Sequence, residues 1–165
     1  MIYLKELTKK DVTQKYVNWM NDYEVHKFTE QKYKKHNLKD VKKFIIEKKK
    51  SKNEFLYGIY IKKNKEHIGN IKLGPINYIH KFADISYFIG NKDMWCKNYT
   101  SLAIKKIIKI AKKKGLKKLQ AGLLEMNIGS KRVLEKNNFK LEGTLKSQIL
   151  YKNKRCNSLW FGLVL

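Results

Sequence analysis

The stretch Trp95–Ala111, WCKNYTSLAIKKIIKIA, decides how the chain is read. Ala103, Ile104, Ile107, Ile108 and Ala111 recur at the i, i+3, i+4 spacing of one helical face, with lysines on the other. The spacing predicts a helix that starts at Asn98 or Tyr99 and ends at Gly115, a residue suited to the left-handed turn past a helix end. Immediately upstream, ISYFIG (85–90) reads as a buried strand. A strand therefore stops, crosses the short polar loop Trp95-Cys96-Lys97-Asn98, and launches a lysine-faced helix.

Working outward, the apolar patterns predict a strand over 2–7 and a helix over 11–20 that Asp11 caps. A second helix follows over 38–50, its apolar face set by Leu38, Val41, Phe44 and Ile45. Antiparallel strands are expected over 54–63, 66–74 and 82–90, with the single proline, Pro75, in a turn between strands. Beyond the helix of the opening stretch come a strand over 117–125, a helix from Asn127 to Asn137, and closing strands over 138–150 and 157–165. The expected fold is a single α/β domain over residues 1–165. It has a mixed, mostly antiparallel twisted sheet of about seven strands with helices on both faces.

Composition narrows the function classes. A chain of 165 residues with 42% hydrophobic content can bury a real core. Two cysteines, Cys96 and Cys156, make no disulfide framework, and the four histidines have no zinc-like spacing, so no metal site is expected. The N-terminus lacks the apolar run of a signal peptide, and no segment is long and apolar enough for the membrane. The expected location is cytoplasmic. The formal charge of +24 admits nucleic acid as a partner. However, all the basic residues except Arg132 and Arg155 are lysines, spread evenly as in an AT-rich coding bias, so nucleic acid is not favoured.

Three segments carry a family likeness: YVNWMNDYEV (16–25), ADISYFIGNKDMWCKNYTSLAI (83–104) and NIGSKRVLEKNNFKLEG (127–143). In this order they resemble the GNAT superfamily of N-acetyltransferases, and within it the ribosomal-protein N-terminal acetyltransferase-like branch. The resemblance implies acetyl-CoA as acyl donor and a primary amine as acceptor, either a protein N-terminus or an amino sugar, free or nucleotide-linked. Attack would be direct, in a ternary complex, by a monomer or homodimer. It implies that the strand carrying Phe88 and Ile89 receives the pantetheine arm, and that Trp95, Cys96, Lys97, Asn98, Tyr99 and Thr100 hold the pyrophosphate. A helix start suits an anion because its N–H groups and dipole converge there. The family pattern at these six positions is Trp-Gly-Lys-Gly-Tyr-Ala, so Cys96, Asn98 and Thr100 are departures. Asparagine tolerates the left-handed conformation, which keeps the turn plausible at Asn98 and again at Asn138, where the family has glycine.

The same resemblance places Asn127 and Ser130 at the cofactor, with Ser130 protonating the departing thiolate; an Asn followed by Ser at this spacing is also an ordinary helix cap. Arg132 and Lys136 are within reach of phosphates. Asp84 matches a position where relatives carry an acidic base, and Tyr87, Glu24, Glu30 and Glu125 are weaker candidates. The stretch Lys146–Ile149 lacks the glutamate that the ribosomal-protein branch can carry. The acceptor is expected between Trp19 and Lys35, and GNIKLGPI (69–76) resembles relatives in surface-sugar biosynthesis. The alternative is a basic RNA- or ribosome-associated binding module on the same scaffold without turnover.

Overall fold

The computed structural model describes residues 1–165. Seven strands form one sheet: β1 (Ile2–Glu6), β2 (Phe55–Ile61), β3 (His67–Asn77), β4 (Phe82–Ile89), β5 (Lys118–Leu124), β6 (Lys140–Tyr151) and β7 (Lys154–Val164). Their order across the sheet is β1-β2-β3-β4-β5-β7-β6. Only β4 and β5 run parallel; every other neighbouring pair is antiparallel. Five helices complete the fold: α1 (Gln14–Asn21), α2 (Tyr23–His26), α3 (Leu38–Lys50), α4 (Tyr99–Lys113) and α5 (Ile128–Lys136).

Alternation along the strands splits the core between two faces. In β2, Ile59 packs into the larger cluster with Ile104, Ile107 and Ala111 of α4, whereas Leu56 and Tyr60 join α1 and α3 through Tyr16, Val17, Trp19, Val41 and Ile45. Helix α4 thus lies on one face and α1 and α3 on the other, as the apolar stripes required. Phe139, fully buried, fills the α4 side beside Leu119 and Phe161.

Two boundaries differ from expectation. Asp11 does not cap a helix over 11–20. It closes a short 3-10 turn, Lys9–Asp11, where its carboxylate accepts from both the backbone N–H and the hydroxyl of Thr8 at 2.8 Å. Val12 then runs extended and buried, and α1 starts at Gln14 under a Thr13 cap. Pro75, expected in a turn, lies inside β3. The pairing with β4 shifts register between Leu73 and Ile76, so no ladder bond is asked of the missing proline N–H.

Candidate functional site

The sheet opens at its centre. Strands β4 and β5 pair only over Phe82–Asp84 and Lys118–Gln120, then part into a V. Gly90 donates to the Ile68 carbonyl and Phe88 pairs with Asn70, so the alternation of an antiparallel ladder turns the backbone groups of Tyr87 and Ile89 the other way, into the V. At the mouth, the Trp95 indole donates to the Ile89 carbonyl at 2.8 Å and folds the loop back onto the strand. Gly90 permits this tight corner, since a Cβ there would collide with the Trp19 indole.

The loop keeps the backbone of the glycine pattern without its glycines. Cys96 has φ 58° and Asn98 has φ 64°, both left-handed, at the two positions where the family pattern has glycine. Asn138, the third such position, has φ 66°. The Asn98 side chain does not cap α4; its Oδ1 accepts from Lys136 Nζ at 3.0 Å. The first N–H groups of α4, at Tyr99, Thr100 and Ser101, therefore stay free of helix partners at the dipole's positive end. Lys97 is exposed beside them, and Arg132 lies one turn before Lys136 on the same face of α5. This donor set fits a pyrophosphate. Asn137, nearly fully buried, ties the two helices together: its Nδ2 donates to Ser101 Oγ at 3.0 Å and to the Val133 carbonyl at 2.7 Å.

Across the V, Asn127 caps α5 by accepting from the Ser130 N–H at 3.2 Å. The Tyr87 hydroxyl lies 3.5 Å from the Ser130 carbonyl oxygen, so phenol and serine meet at the start of α5. Burial pushes the Tyr87 phenol up to about 12, against a lowering contact with Ser130. At neutral pH it stays protonated and can donate a proton.

On the α1/α3 face of the sheet, next to the V, is a cavity of about 470 Å³. Tyr16 and Met20 of α1, Val41 and Phe44 of α3, and Leu56, Tyr87 and Phe88 of the sheet supply its apolar walls. Phe88, expected at the donor through its strand, pairs its backbone with Asn70 and turns its ring to this cavity instead. Its polar lining includes His26, His36, Asn70, Lys34, Lys48, Lys72 and Asp40. Three buried side-chain nitrogens in that lining have no partner: His26 Nε2, His36 Nε2 and Asn70 Nδ2. Helix α2 and the segment after it pack on the β6–β7 hairpin, where Tyr23 and Tyr151 hydroxyls meet at 3.5 Å and Lys32 Nζ lies 4.6 Å from the Tyr151 ring centroid.

The carboxylates fall elsewhere. Asp84 sits at the last paired position of the V, accepts from Gln120 Nε2 at 2.7 Å, and does not line the cavity. Glu125 accepts from the backbone and side-chain nitrogens of Asn157 at 2.7 and 2.9 Å. Glu24 pairs with Lys27, and Glu30 lies in the 3-10 turn after α2. His26 and His36 were not among the sequence candidates, and no spacing marks them. No group of three or more His, Cys, Asp or Glu side chains could hold a metal ion, and no helix is long and apolar enough to cross a membrane.

The profile of the acetyltransferase (GNAT) domain family matches residues 2–140. No curated protein matches the chain in sequence. Among solved structures, spermidine N-acetyltransferase from Vibrio cholerae in complex with CoA and spermine superposes with a TM-score of 0.87 at 16% identity, covering 99% of this chain and 95% of that one. A GNAT-family acetyltransferase from Bacillus anthracis gives 0.84 at 20% identity, with 99% and 94% covered. One from Streptococcus pneumoniae gives 0.80 at 18% identity, with 100% and 99% covered. The likeness to these structures is one of fold, and the family match extends over most of the chain. The chain belongs to the GNAT acetyltransferase domain family, enzymes that draw an acetyl group from acetyl-CoA and pass it to an amine.

Proposed function

We propose that the acceptor is a small amine bearing an anionic group, an amino sugar phosphate or its nucleotide ester, acetylated by direct attack within a ternary complex. The observation that carries this is the charge of the cavity. Lys34, Lys48 and Lys72 line it against one lining carboxylate, Asp40. Glu54 pairs with both Lys48 and Lys72, the latter at 2.6 Å, while Lys34 has no ion-pair partner. Lys34 is thus the unpaired lysine of the lining: a polycation such as spermidine would meet it with Asp40 as the one lining carboxylate, whereas an anion would be drawn in by it and by the +24 surface. A ribosomal-protein N-terminus is the poorer reading, because contacts of α2 and the segment after it with the β6–β7 hairpin favour a pocket over an open groove.

Acetyl-CoA supplies the activated thioester. The backbone groups of Tyr87 and the N–H of Ile89, turned into the V, suit its pantetheine arm, while the Ile89 carbonyl is held by Trp95; the N–H groups from Cys96 to Thr100, with Lys97, Arg132 and Lys136, suit its phosphates. Asn127 fixes the start of α5, so that Ser130 and the Tyr87 phenol face the departing sulfur. Asp84, held by Gln120, anchors the closed end of the V.

Thiol release from acetyl-CoA should be measured with glucosamine 1-phosphate, UDP-glucosamine, glucosamine, a free-amino tetrapeptide and spermidine. The phosphate-bearing amines are expected to exceed the others in kcat/KM by about tenfold, an advantage that shrinks as salt rises. Spermidine or the peptide matching the phosphate-bearing amines would overturn the acceptor assignment.

A further inference from the structure

His26 is 2% exposed, yet its ring is only half used. Thr29 Oγ1 lies 3.2 Å from both the His26 carbonyl and His26 Nδ1 and accepts from the Gln31 N–H at 3.3 Å; with the hydroxyl proton directed at the carbonyl, Oγ1 accepts from Nδ1. In that arrangement the ring proton sits on Nδ1 and Nε2 keeps a lone pair, the tautomer that proton acceptance at Nε2 requires. Nε2 is buried and unpartnered, and His26 is one of the residues that line the cavity. The ring packs edge-on against Phe88, centroids 4.8 Å apart, on the strand that forms one arm of the V. Asn70, the cross-strand partner of Phe88, is 2% exposed and carries the unpartnered Nδ2 on the same wall. Its Oδ1 accepts from His67 Nε2 at 2.8 Å, and its amide, with the Tyr16 phenol beside it, has no partner within 3.5 Å. Leaving two such groups unpaired in a folded interior costs stability, and a ligand that pairs them recovers it.

We propose that His26 is the proton acceptor for the amine, a role resting on the assignment of this cavity to the acceptor. The amine arrives neutral and hydrogen-bonded to Nε2. As its nitrogen bonds the acetyl carbon, the N–H proton passes to Nε2. As the carbon–sulfur bond breaks, the sulfur takes a proton from the donor at Tyr87 and Ser130. The imidazolium then returns its proton to that donor through solvent, so one proton has moved from nitrogen to sulfur. The charged groups that act on the ring are Asp22, which caps its own helix, and His36 on the following loop. Burial first, and then His36, oppose a standing imidazolium against the pull of Asp22, which keeps Nε2 free until the amine delivers its proton.

The test compares His26→Asn with wild type on the best acceptor of the panel above. Asn retains a group for Thr29 and removes Nε2. The expected result is a kcat reduced about 100-fold, KM for the amine and affinity for acetyl-CoA within about threefold, and partial recovery of kcat by added imidazole. A kcat within about threefold of wild type overturns the proposal, as does a loss confined to KM. Spectra of the 15N-histidine-labelled wild-type protein need no acceptor and no variant. A His26 that is protonated on Nδ1 and bare on Nε2 from pH 5 to 8 is expected, and the opposite tautomer or an imidazolium overturns the proposal. Activity on none of the amines would instead count against the acceptor assignment, while the spectra would still decide the state of His26.

Discussion

Replacing Tyr87 by Phe is expected to lower kcat about 100-fold while KM for the amine and thermal stability change little. The phenol is a donor only, because burial holds its proton up to about 12. Its one contact, the Ser130 carbonyl at 3.5 Å, is too long to contribute much to folding. The hydroxyl therefore adds little to the fold, and the proposed mechanism uses it at the departing sulfur. Steady-state kinetics of Tyr87→Phe and Ser130→Ala check this. A large loss in Ser130→Ala with little loss in Tyr87→Phe would assign the donor to Ser130 alone.

The second large effect is on stability. The protein is expected to lose up to about 3 kcal/mol between pH 6.5 and pH 4 through His26 alone. Burial first, and then His36, lower His26 from 6.5 to about 4, against an opposing pull from Asp22. In that window the unfolded chain binds a proton that the folded chain refuses, so stability rises with pH; below about 4 both states are protonated and the slope ends. Burial lowers His67 in the same direction, against its hydrogen bonds to Asn70 and Gly69. Urea unfolding at steps from pH 7.5 to 4 measures the slope. His26→Asn should flatten it, leaving the His67 share, and an unchanged slope in that variant would contradict the buried, neutral His26.

Much of this architecture was legible in local pattern. The apolar stripe from Ala103 to Ala111 places α4 against the sheet, and alternation in FLYGIYI tells which residues of β2 face α4 and which face α1 and α3. The left-handed turns at Cys96, Asn98 and Asn138 could not be read from composition, since none is glycine. Only the family likeness marked those positions. The start of α1 was misplaced because Asp11 is a good cap in isolation, but here its carboxylate is engaged by Thr8 and Lys5. The acceptor cavity was least legible. It is assembled from three helices and three strands, and nothing in linear spacing brings His26 to Phe88 or leaves Asn70 half-satisfied beside them. Asp84 was a natural candidate on its strand until the parallel neighbour supplied Gln120.

The central claim is that the V between β4 and β5, with its glycine-free cradle at α4, holds acetyl-CoA. Calorimetric titration of acetyl-CoA into the folded protein, paired with a thermal scan, tests it most directly. The prediction is single-site binding, with stabilisation of about 2.7 kcal/mol at a hundredfold excess over Kd. Lys136→Ala should weaken binding about fivefold without loss of stability in the unliganded protein, since that lysine is an exposed group at the end of α5 that only donates to Asn98 of the loop. A folded protein that shows neither heat nor a shifted midpoint at millimolar acetyl-CoA would contradict the account.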